Sequence, residues 1–65
     1  MRKITCLNIG TYNFMTYQLE RMGINIADIK SEGMSYSFFD EKGRVVAELD
    51  EDNGRGVIYD YQHAV

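Results

Sequence analysis

Cys6 and His63 are the chain's single cysteine and single histidine, and nucleophilic chemistry would have to begin with them. A catalytic thiolate needs a base within hydrogen-bond reach and an electropositive setting. His63 stands in Gln62-His63-Ala64-Val65, near the end of the chain where fraying is usual. Cys6 sits in the apolar run Ile4-Thr5-Cys6-Leu7, where a cysteine packs as a small hydrophobe. The pair reads as a core filler and a tail histidine. Acid–base work by two carboxylates is the next candidate, with Glu48 and Asp60 on neighbouring elements. Such chemistry needs a pocket that desolvates one of them, and a chain of 65 residues has little room for one.

Asp50-Glu51-Asp52-Asn53-Gly54 invites a calcium reading. A helix–loop–helix calcium site needs oxygen ligands at its first, third and fifth positions, Gly at the sixth and Glu at the twelfth. Counted from Asp50, those last three positions are Gly54, Arg55 and Tyr61, so the pattern fails. Gly54-Arg55-Gly56 resembles a nest of backbone N–H groups for an anion, but three carboxylates precede it, and turn geometry explains its glycines. Tyrosines on strands can stack bases, yet no basic groove borders Tyr36, Tyr59 or Tyr61. No catalytic residue, cofactor or metal is expected, and the chain reads as a non-enzyme.

Charge is unevenly placed. Residues 1–30 carry Arg2, Lys3, Arg21 and Lys30 against Glu20 and Asp28. Residues 31–65 carry Glu32, Asp40, Glu41, Glu48, Asp50, Glu51, Asp52 and Asp60 against Lys42, Arg44 and Arg55, and the whole chain has net charge −3. An acidic chain repels phosphate backbones, which disfavours nucleic acid and favours a basic protein surface as partner. No apolar run is long enough to span a membrane or to form the core of a secretory leader. With one cysteine there is no internal disulfide, which fits a reducing, cytoplasmic setting. A single domain of this size buries little core, so binding to a partner or to a second copy would help it.

The secondary structure that carries these residues follows from pattern. Tyr12, Met15, Leu19 and Met22 recur at helical spacing, with Thr11 as N-cap and Gly23 after the C-terminus, so a helix is predicted over residues 11–22. Residues 3–9 fit a first strand, or the first turns of a longer helix. Ile24, Ile26 and Ile29 fit an irregular strand, or a short helix at 26–32. Asp40–Arg44 and Asp50–Gly56 form a near-repeat, each an acidic, Gly-bearing turn feeding an apolar run, and this is the signature of hairpin connections.

The expected fold is therefore α+β: one amphipathic helix on a three- or four-stranded antiparallel sheet that ends in a meander. Alternation places Met34, Tyr36, Phe38, Val45, Ala47, Leu49, Val57, Tyr59 and Tyr61 against the helix. The opposite side then carries Ser35, Ser37, Phe39, Arg44, Val46, Glu48, Ile58 and Asp60, with Phe39, Val46 and Ile58 as an uncovered apolar trace. The expected function is a protein-binding module, such as an inhibitor that docks an acidic surface on a nucleic-acid-binding protein. Asp40, Glu41, Glu48, Asp50, Glu51, Asp52 and Asp60 are its candidate contacts. A self-assembling homo-oligomer using Phe39, Val46 and Ile58 is the alternative, and a nucleic-acid-binding sheet comes third.

Overall fold

The computed structural model describes residues 3–7, as backbone, and 11–61. The elements are β1 (Lys3–Leu7), α1 (Tyr12–Arg21), β2 (Asp28–Glu32), β3 (Ser35–Phe39), β4 (Val45–Asp50) and β5 (Arg55–Asp60). Strands β2 to β5 form an antiparallel meander, and β1 pairs with β5, giving the sheet order β1-β5-β4-β3-β2. The α+β class and the meander are as the sequence implies, and β1 adds a fifth strand. Residues 28–32 are strand rather than helix. The first strand ends at Leu7, and residues 8 and 9 lie outside the described residues.

Helix α1 begins and ends where its capping residues require. Thr11 has an extended backbone, and its Oγ1 accepts the amide of Phe14 at 3.3 Å. At the other end Gly23 takes φ +74°. Its amide donates to the carbonyl of Glu20, and the amide of Ile24 donates to that of Leu19, the paired bonds of a Schellman cap. Ile24, just past that cap, is buried beside Leu19 in the core, which fastens the chain as it leaves the helix.

The core lies between α1 and one face of the sheet. Met15 and Leu19 descend from the helix onto Phe38, Val46, Ala47, Leu49 and Ile58, with Tyr12, Met22, Ile29, Tyr36 and Tyr61 packed around them. Phe38, Ala47 and Ile58 stand in one cross-strand row, a small residue between two large ones. Tyr12 meets Tyr36 edge to face, with ring centroids 5.4 Å apart.

Two features overturn the expected division of faces. The register between β3 and β4 shifts, pairing Phe38 with Ala47 and Phe39 with Val45, so Val46 is an extra residue in the ladder. A bulge of this kind breaks strict alternation, and Val46 joins Ala47 in the core at 2% exposure. In β5 the inward set is Gly56, Ile58 and Asp60, while Val57 and Tyr59 are only half-buried. Ile58 is therefore fully buried within this chain, and Val46 and Ile58 are not an external contact surface. Met34, placed in the core by alternation, sits in the β2–β3 turn at 52% exposure.

Candidate interaction surface

Most of the candidate carboxylates have tasks inside the fold. Asp40 opens the β3–β4 turn: its Oδ1 accepts the amides of Lys42 and Arg44, and its Oδ2 accepts Nε of Arg44 at 2.8 Å. Desolvation pushes the Asp40 carboxyl upward. The hydrogen bonds from Arg44 and Lys42, with the charge of Arg44, outweigh it and hold the group below its ordinary value. The Arg44 guanidinium also lies 4.2 Å from the ring centroid of Tyr61, whose hydroxyl donates to the carbonyl of Val45.

Asp50 plays the matching part in the β4–β5 turn, where its carboxylate accepts the amide and the side-chain Nδ2 of Asn53. Glu51 leaves that turn and reaches the helix. Its Oε2 accepts the amide of Tyr12 at 3.1 Å, one of the donors an N-terminus leaves open. It also holds the Tyr36 phenol above its ordinary range, through a hydrogen bond first and its negative charge second. The amide of Glu51 donates to the carbonyl of Met34, so three connections meet at this residue.

Glu48 is exposed and accepts the Tyr59 hydroxyl at 2.6 Å. Asp60 is buried at 1% exposure and faces the core side, with Lys3 opposite it in backbone register. It therefore does not join Glu48 in an outward acidic stripe. Among the described residues, Glu41 and Asp52 alone of the seven candidates make no side-chain hydrogen bond and are exposed. They lie in successive turns of a meander, at opposite ends of the sheet, so the acidic loops do not merge into one patch.

The second candidate surface is the sheet face turned away from α1. Two shallow clefts open there, of about 480 and 350 Å³. The first is lined by Lys30, Glu32, Ser35, Ser37 and Phe39, and the second by Ser35, Ser37, Glu48, Asp50, Arg55 and Val57. They meet over the two serines of β3. Phe39, Val57 and Tyr59 remain half-buried, and no described element lies over them. Phe39, expected on this side of the sheet, is one of three half-buried apolar residues here. The other two are Val57 and Tyr59, the set that alternation had turned inward.

No family model matches this chain, and no curated protein or solved structure matches it significantly.

The remaining chemistry is easily placed. His63 and the Cys6 side chain lie outside the described residues, so the nucleophile pair is not represented. Among the described residues, no three His, Cys, Asp or Glu side chains are grouped to hold a metal ion. No described helix is long and apolar enough to cross a membrane. Sequence reading missed Glu51 as a helix-capping residue, because its partner Tyr12 is 39 positions away.

Proposed function

We propose that this chain is a non-enzymatic protein-binding module whose docking surface is the helix-free face of the sheet. One observation carries the reading: Phe39, Val57 and Tyr59 stand half-buried on that face beside Lys30, Glu32, Glu48 and Arg55, with no described element over them. Half-buried apolar side chains interspersed with charged ones, left uncovered by the fold, are a surface that a partner can bury. The carboxylates support the same direction, since Asp40, Asp50 and Glu51 hold turns and a helix end rather than pointing into an enclosed pocket. A lysate pull-down with the wild type and with Val57→Lys, at low and high salt, tests this. A protein held by the wild type and lost by the variant supports the open face. Equal capture by both moves the contact elsewhere.

The net charge of −3 favours a second form, in which the partner is a basic, nucleic-acid-binding protein. In that form Glu41 and Asp52 are the contacts, since neither is engaged within the described fold. Capture that vanishes at high salt and with Glu41→Gln plus Asp52→Asn would select it.

A further inference from the structure

The open face is laid out in two cross-strand rows. From β2 to β5, one row reads Lys30, Ser37, Glu48, Val57, and the next reads Glu32, Ser35, Asp50, Arg55. The rows run with opposite polarity: the first places its cation on β2 and its anion on β4, and the second places an anion on β2 and its cation on β5. Each row has a serine on β3, Ser37 in the first and Ser35 in the second, and both serines line both clefts.

We propose that the partner on this face is a second copy of this chain, set face to face about a two-fold axis that runs along β3 and β4 and passes between them. This identification rests on the docking surface assigned above. The operation lays β2 over β5 of the second copy, and β3 over its β4. Glu32 then meets Arg55 of the second copy, and Arg55 meets its Glu32. Ser35 faces Asp50, and Ser37 faces Glu48. Each serine hydroxyl, which has no acceptor among the described residues, thereby gains a carboxylate. Lys30, whose ammonium stands 5.4 Å from the ring centroid of Phe39 in its own chain, comes over Val57 of the second copy with its stem on that apolar side chain. Phe39 comes over Val45. Every unlike pair occurs twice, as an isologous contact requires.

The pairing also survives the geometry of packed sheets. Aligned sheets cross at about 30°, which displaces the corner residues by only a few ångströms. Glu and Arg side chains span that. Only β2 to β5 overlap under this operation, since β1 lies beyond β5. Four strands about 4.8 Å apart and five or six residues long give roughly 350 Å² of plan area per copy. Two copies bury about twice this, roughly 700 Å², before side-chain relief is counted, which is below the roughly 1,000 Å² of a stable interface and in the range of weak association. The expected dimer is therefore one of modest affinity, dissociating in the micromolar range. The opposite edge strand, β2, does not compete as a pairing site. Four of its five residues are exposed and three of those are charged, which blocks edge-to-edge addition.

The test is sedimentation equilibrium of the wild type, of Glu32→Arg, of Arg55→Glu, and of the double swap, with circular dichroism to verify folding. Both positions are exposed, so the fold should hold. A wild-type dimer, weakened at least tenfold by either single reversal and regained in the swap, supports the proposal. Only a chain meeting itself restores binding when both of its own charges are exchanged. A wild type that stays monomeric at several hundred micromolar overturns the proposal, as does a dimer indifferent to the single reversals or a swap that fails to recover. The pull-down separates the two readings: a monomer that still holds a Val57-dependent partner removes the second copy but keeps the docking surface. A monomer that holds none removes both.

Discussion

Asp40–Arg44 and Asp50–Arg55 share a chemistry: an aspartate folded back on a turn amide, a glycine at positive φ, and an arginine that enters or opens the next strand. They differ in the residue after the aspartate. Glu41 points into solvent at one end of the sheet, whereas Glu51 crosses to the helix and accepts the amide of Tyr12. The carboxylates of the first turn stay within it, with Asp40 bound to Arg44 of the same turn, and Arg44 alone reaches out, to the Tyr61 ring. The second ties the β2–β3 turn, the β4–β5 turn and the start of α1 together through one glutamate. Similar sequence thus produces one local turn and one long-range fastening. The difference comes from what each turn finds beside it.

The largest effect should come from the core that both turns enclose. Leu19 is fully buried against the sheet. Leu19→Ala should cost about 2–4 kcal/mol, which in so small a domain removes the cooperative melt. A thermal transition within a few degrees of the wild type would detach the helix from the core, and with it the reason for Glu51 to sit where it does.

The helix, its caps and the meander were legible in the sequence because each rests on local chemistry: Thr11 and Gly23 at the ends of a helical stripe, and glycine-bearing turns between alternating runs. The division of faces was less legible. Val46 reads as an outward residue until the bulge is known, and a bulge depends on the pairing of two strands. β5 was misread because Val57 and Tyr59 alternate in step with Tyr61, which does pack against the core past the end of the strand, and together they look more apolar than Ile58 and Asp60. Burial there follows register instead, with Ile58 beside Ala47 and Gly56 beside Leu49. As for the surface, the sequence pointed to Phe39 and Glu48 but could not reveal that most neighbouring carboxylates hold turns.

The glycines measure what the two turns have in common. Gly43 and Gly54 take φ +79° and +65°, and a Cβ at either would meet nothing within 4 Å. The cost of Gly43→Ala or Gly54→Ala is therefore backbone strain alone, about 1–2 kcal/mol each. Equal losses in chemical denaturation would confirm that the turns are alike at this level. A loss at one position only would mean that the other turn relaxes into a different conformation.

The glutamates measure how the turns differ. Glu51→Ala removes an acceptor from the helix N-terminus and a partner from Tyr36, and should cost about 1 kcal/mol. That corresponds to a melting shift of roughly 4–8 °C in a domain of this size. Glu41→Ala should stay within about 0.5 kcal/mol, as for any exposed position without a partner. Equal shifts for the two would erase the contrast and return Glu51 to the surface. Hydrogen exchange adds a local readout, since the Tyr12 amide should lose protection in the Glu51 variant and keep it in the Glu41 variant.

The smallest effect is the pH response of the closed turn, and its sign is fixed by Asp40. Because hydrogen bonds and the Arg44 charge hold its folded-state carboxyl below the ordinary value, ionised Asp40 stabilises the fold at every pH above about 4, the unfolded value. That contribution fades as pH falls from there through the lower, folded value. Asp40→Asn never has it. The melting temperature of the wild type should therefore exceed that of the variant by a constant margin from pH 7 to about 5, and the margin should shrink on acidification below about 4. Arg44 stays charged throughout that range, so the change reports the carboxylate alone. The margin need not be large, since the pair stands at the surface and salt screens it. A margin that persists unchanged down to pH 2, or an Asp40 that titrates by NMR at or above 4, would show that the turn is held by its backbone and glycine geometry rather than by the charge on its first residue.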